Sequence, residues 1–167
     1  MVAAIESFFV NTLGARLAVV ICSMIPIIEL RGAIPLGAAL GLPWWQNYIF
    51  AVLGNMIPVP FILLFITKVI ALMERSHIKL FNKIGGWLVR KAEKNREKIE
   101  KYSFWGVCLF VAVPLPVTGA WTGSLVSAMI GMKFWKALLS CLLGVMIAGV
   151  IMTLASYGVV AAFAFFA

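Results

Sequence analysis

The chain has no aspartate at all and a single histidine, His77. Chemistry that depends on paired aspartates is therefore excluded. Serine or metal chemistry that needs a histidine would have to use His77, which lies in a polar, basic stretch rather than in a pocket-forming segment. Cysteine is scarce too. Cys22, Cys108 and Cys141 are far apart, in apolar surroundings, without metal-ligand spacing and without the pattern of a disulfide framework. They read as small buried apolar residues. No metal and no cofactor is expected, and the chain does not read as an enzyme.

Charge is the next shortage. Only 12% of the 167 residues are charged, against about a quarter in a soluble domain. The runs Gly32–Thr67, Tyr102–Met132 and Ala137–Ala167 carry none, over 36, 31 and 31 residues. A membrane span needs about 20 apolar residues. With 63% hydrophobic residues and mean hydropathy +1.06, the chain reads as an integral membrane protein. The first residues lack a basic leader and carry Glu6, so no cleavable signal peptide is expected.

What charge there is collects in one place. Glu74 to Lys101 hold nine Lys/Arg and four Glu. A basic segment between apolar ones marks a cytoplasmic loop, here residues 74–101, in a multi-pass membrane protein. Within it His77, Leu80, Phe81, Ile84, Trp87 and Leu88 recur at helical spacing, as in an interfacial helix. The following stretch, "RKAEKNREKIEK", is polar nearly all round and reads as a solvated helix. No nucleic-acid motif accompanies the charge, so no nucleic-acid partner is expected. Membrane lipids are.

The apolar stretches are interrupted. In "VPLPVTGAWTGSL", Pro114, Pro116 and Gly119 divide two arms of about 16 and 20 Å as helices. Each is near half of a hydrocarbon core about 30 Å thick. The first stretch is built alike, with arms near 13–25 and 33–42 and a break from Pro26 to Gly32. Two re-entrant helical hairpins follow, each leading into a full transmembrane helix. The other reading is four ordinary kinked spans.

The halves also align. A shift of ninety residues without gaps places Pro26 on Pro116, Ala38 on Ala128, Gly41 on Gly131, Trp45 on Trp135, Leu53 on Leu143, Gly54 on Gly144, Met56 on Met146 and Ile57 on Ile147. The matched glycines, proline and tryptophan carry more weight than the leucines. The turn after the first hairpin is uncharged, whereas the one after the second carries Lys133 and Lys136. The positive-inside rule then puts the two turns on opposite sides. The expected fold is an all-α integral membrane protein of two inverted-topology repeats. Repeat one covers residues 8–73, with its hairpin at about 13–42 and its span at about 45–73. Repeat two covers 102–167, with hairpin 103–131 and span 134–160. A chain this short, with two breaks to cover, makes a homo-oligomer a natural expectation.

The stretch "PIIELRGAIPLG" places Glu29 and Arg31 in the first break. An intramembrane charge costs about 2.5–3.5 kcal/mol at a helix centre and is usually functional. Arg31 has the planar fork that suits phosphate or carboxylate, and Glu29 could take up and release a proton. Their alternative is a structural ion pair. The second break offers Thr118, Trp121, Thr122 and Ser124, whose hydroxyls could receive a polar group or satisfy the broken backbone. Arg16 could snorkel outward or join Glu29. Together the two breaks suggest a transport site for an amphipathic, anionic substrate.

"ELRGAIPLG" with "VPLPVTGAWTGSL" resembles the putative small multidrug export proteins, over most of the chain. That resemblance implies efflux. A more distant similarity is to the DedA group of lipid transporters, and implies movement of lipid phosphate carriers such as undecaprenyl phosphate. Glu29 and Pro35 fit the first half of that pattern, and Pro114 with "MIGMKFWKALLSCLLG" the second. The second-hairpin arginines of that group are absent, with Thr118 and Trp121 in their region. Efflux of cationic amphiphiles and a non-transporting scaffold are the competing functions.

Overall fold

The computed structural model describes residues 14–74, 96–114 and 118–166. Pro116, His77 and most of the basic loop lie outside the described residues. All regular structure among those described is helical. In chain order the helices are α1 (Gly14–Met24), α2 (Glu29–Ala39), α3 (Trp44–Met56), α4 (Pro58–Glu74), α5 (Arg96–Ala112), α6 (Ala120–Met129) and α7 (Phe134–Phe166).

Two stretches are long and apolar enough to cross a membrane: Trp44–Ile66, with 23 residues, and Phe134–Val159, with 26. At 1.5 Å per residue both exceed a hydrocarbon core of about 30 Å. Their outer faces are exposed and apolar, with Leu53, Phe61 and Phe65 on one and Leu143, Ile147, Val150 and Leu154 on the other. Such faces are unfavourable in water and neutral in lipid. By contrast, α2 and α6 hold only 11 and 10 residues, too short to span.

The first long stretch was expected as one uninterrupted helix, and it is cut at Ile57. Pro58 has no N–H to return to Gly54, so α3 ends at Met56 and α4 starts anew. The cut also separates two compact units. One comprises Met1–Ile57 with Val145–Ala167, the other Pro58–Gly144. The first unit therefore contains α1 and α2, the second α5 and α6, and each holds parts of both long stretches.

In the first unit, α1, α2, α3 and the later part of α7 enclose Val19, Leu30, Ala33, Ile34, Ala51 and Ala148. Glycine allows the close approaches. A Cβ on Gly54 would overlap Ser23 Oγ and reach 2.6 Å from the Val20 carbonyl, and one on Gly149 would stand 2.8 Å from the Tyr48 ring. In the second unit, α4 and α5 pack on α6 around Val59, Leu63, Cys108, Val111, Ala120 and Cys141. A Cβ on Gly144 would lie 2.7 Å from the Cys108 carbonyl. The three cysteines are free, with Cys108 and Cys141 fully buried.

The alignment of the halves reappears in the backbone. Helix α2 closes with Gly41 at φ 74°, its N–H bonded to the Ala38 carbonyl and the Leu42 N–H to the Gly37 carbonyl. Ninety residues on, α6 closes with Gly131 at φ 76°, bonded to Ala128, while the Met132 N–H bonds to Ser127. Both are Schellman ends, whose left-handed residue is normally glycine. Helices α3 and α7 then begin at the same offset, Trp44 and Phe134.

Candidate functional site

The first break is a tight turn. Pro26 follows the end of α1, and the Ile25 carbonyl accepts from the N–H groups of both Ile28 and Glu29, at 3.2 and 2.9 Å. Pro26, Ile27 and Ile28 are exposed at the tip. The chain then turns inward. Glu29 is 5% exposed and opens α2 in the left-handed region, at φ 50°. For a residue other than glycine that conformation costs about 1–2 kcal/mol. Arg31 is half-buried two residues on, in electrostatic contact with the Glu29 carboxylate.

The break is shorter than the sequence suggested. Gly32 was expected within it and instead belongs to the first turn of α2, its N–H bonded to the Ile28 carbonyl at 3.0 Å. The turn closes by Ile28, so the helix resumes sooner. A Cβ there would overlap the exposed Ile28 side chain, which would have to shift. Pro35 is inside α2 and brings no N–H to the carbonyl of Arg31, four residues earlier.

Arg16 does not join Glu29. Its Nε donates to Gln46 Oε1 at 3.0 Å, and its guanidinium lies 5.8 Å from the Phe50 ring centre. That places it about 12 Å from the break along the helix.

The second break carries no charge among its described residues, and its hydroxyls serve the backbone. Thr118 Oγ1 donates at 2.9 Å to the carbonyl of Val113, the residue just after α5. Thr122 Oγ1 accepts from the Gly119 N–H and donates to the Gly119 carbonyl, at 3.0 and 3.1 Å, closing the start of α6. Ser124 donates to the Ala120 carbonyl. Trp121 is half-buried. At the ninety-residue offset Glu29 corresponds to Gly119 and Arg31 to Trp121, so the charged pair belongs to the first half alone.

The sequence reading missed a set of uncharged polar residues in the first unit. Asn47 is fully buried on α3; its Nδ2 donates to the Ile34 carbonyl at 2.7 Å and to Tyr157 Oη at 3.1 Å. Tyr157, on α7, donates in turn to the Leu42 carbonyl at 2.6 Å. These bonds tie α2, its closing turn, α3 and α7 together. Asn55 and Thr153 are also buried. The signal lay in the sequence as asparagines inside a charge-free run. Among the described residues no three His, Cys, Asp or Glu side chains gather as metal ligands.

Two stretches of spanning length with exposed apolar residues fit a membrane protein, in which a buried charged residue is usually functional. Residues 29–151, which run from Glu29 through both Schellman turns, match the family described as putative small multi-drug export protein. The chain belongs to that family. It is a family of membrane transporters, not of enzymes, and the match begins on the buried carboxylate itself. No curated protein and no solved structure matches the chain.

Proposed function

We propose that this small multidrug export family member is a secondary transporter of the prokaryotic plasma membrane, moving an amphipathic anion past the first helix break. The observation that carries this reading is the Glu29–Arg31 pair. A buried carboxylate in a strained backbone conformation and a half-buried guanidinium share the first turn of α2. A buried pair is poor at stabilising a fold, because desolvation offsets the attraction, so stability alone does not explain it. Arg31 holds the anionic headgroup of a substrate such as a lipid phosphate carrier, of which undecaprenyl phosphate is one. Glu29 takes a proton when the headgroup draws Arg31 away, which couples movement to the proton gradient.

In this reading α1–α2 is a re-entrant hairpin, as are the arms around Pro114. The half-length α2 and α6 and their matched closing turns support it. The two repeats have inverted topology, and loop 74–101 is cytoplasmic. Lys133 and Lys136 after the second turn, against an uncharged first turn, support that orientation.

The family description favours a second reading, efflux of cationic amphiphiles. A cation needs an unopposed carboxylate, and Arg31 opposes Glu29. A binding screen of cationic dyes against polyprenyl phosphates separates the two. Preferential binding of the phosphates, lost in Arg31→Ala, is expected. Tighter dye binding that disappears in Glu29→Gln would establish the second reading instead.

A further inference from the structure

Asn55 is fully buried, and neither its Oδ1 nor its Nδ2 meets a hydrogen-bond partner among the described residues. A primary amide offers two donors and a carbonyl acceptor, and leaving all of them unmet in a protein interior is costly and rare. The helix does not require it. Ninety residues on, the same position is Val145, equally buried. Asn47 likewise corresponds to the buried Ala137. The polar face of α3 is thus confined to the half of the chain that carries Glu29 and Arg31.

Helix register places Asn55 at the depth of the first break. Helices α2 and α3 pack against each other and are joined by the tight turn at Gly41, so they run antiparallel. Asn47 meets Ile34 and Gly37 across that contact. Asn55 is eight residues further along α3, about 12 Å. Eight residues back from Ile34 and Gly37 along the other strand of the hairpin are Pro26 and Glu29. Helix α1 gives the same level independently: Gly54 lies against the Val20 carbonyl and Ser23 Oγ, in the last turns before the break.

We propose that the Asn55 amide is a substrate-contacting group of this break, and that it selects a headgroup able both to donate and to accept hydrogen bonds. A singly protonated phosphate monoester does so, its P–OH donating to Oδ1 and its P–O⁻ accepting from Nδ2. A sulfate ester only accepts, and a quaternary ammonium does neither. This inference rests on the anion-transport reading and narrows its substrate to phosphate monoesters.

The test uses the purified full chain in non-ionic detergent at about pH 6, where a phosphate monoester is roughly half singly protonated. Binding of dodecyl phosphate, dodecyl sulfate and dodecyltrimethylammonium is measured for the wild type, Asn55→Leu and Arg31→Ala, with the ligand-free unfolding temperature of each. Wild type should prefer the phosphate. Asn55→Leu should bind it about tenfold more weakly, for the loss of two hydrogen bonds, and unfold no earlier than wild type. Unchanged phosphate affinity in Asn55→Leu, with binding lost in Arg31→Ala, overturns this inference and leaves the transport reading standing. Absence of dodecyl phosphate binding to wild type removes both. Asn55→Val copies the residue at the corresponding position. If both Asn55 variants unfold early or fail to fold, the amide is structural and the inference falls.

Discussion

The carboxamide oxygen of Asn47 rests against the α-carbon of Gly37, so closely that a Cβ on the glycine would overlap it. The same Asn47 amide donates to the Ile34 carbonyl one turn earlier on α2. The α2–α3 hairpin therefore has a small residue and a polar one interlocked at its contact. In the second half the corresponding residues are Ser127 and Ala137, with the bulk exchanged between the partners.

That exchange makes a coupled prediction. Gly37→Ala should destabilise by about 1–3 kcal/mol, as overpacking does in a close contact. Asn47→Ala removes two hydrogen bonds and should also destabilise. The double variant should be less unstable than the sum of the two, because the shortened side chain makes room for the new methyl. Thermal unfolding of the four proteins in detergent measures the coupling, and strict additivity would show that the contact is looser than described.

The two Schellman turns give a cleaner comparison. Gly41 and Gly131 have φ 74° and 76°, and a Cβ on Gly41 would meet nothing within 4 Å. Substitution by alanine then costs backbone strain of about 1–2 kcal/mol at each position. Asparagine, which tolerates the left-handed region, should cost less. Equal losses of stability in Gly41→Ala and Gly131→Ala are expected from unfolding curves. A loss at one position only would mean that the turns are not equivalent.

Thr118 and Thr122 are engaged with backbone groups on both sides of the second break. Thr118→Val and Thr122→Val should each lower stability by about 1 kcal/mol through the lost bonds. Transport per folded molecule should persist. Loss of transport at unchanged unfolding temperature would place these hydroxyls on the substrate instead.

Much of this was legible from residue pattern. Pro26 and Pro114 marked the breaks, and the recurrence of Gly41 and Gly131 marked helix ends that the backbone then repeats bond for bond. The misses share a cause: attention to charge. Asn47, Asn55 and Tyr157 are uncharged, so they vanish in a count of ionised groups, yet Asn47 and Tyr157 carry buried polar contacts of the first unit and Asn55 is a fully buried amide. Arg16 was weighed by its charge, while its partner, Gln46, carries none. The cut at Ile57 was written in Pro58, but the apolar residues on both sides outweighed it, because a proline kink leaves the hydropathy of a span unchanged. Thr118 and Thr122 could not be assigned from spacing alone, since a hydroxyl beside a break suits a ligand and a backbone carbonyl equally.

The central claim is that Glu29 and Arg31 act on the substrate. It is tested most directly by translocation of a fluorescent polyprenyl phosphate in proteoliposomes, with Glu29→Gln and Arg31→Ala compared with wild type at matched amounts of folded protein. Gln keeps the shape of the side chain and removes its charge, so folding should persist. Both variants should lose translocation while unfolding near the wild-type temperature. Wild-type rates in both variants would contradict the claim and leave the pair a structural feature of the turn.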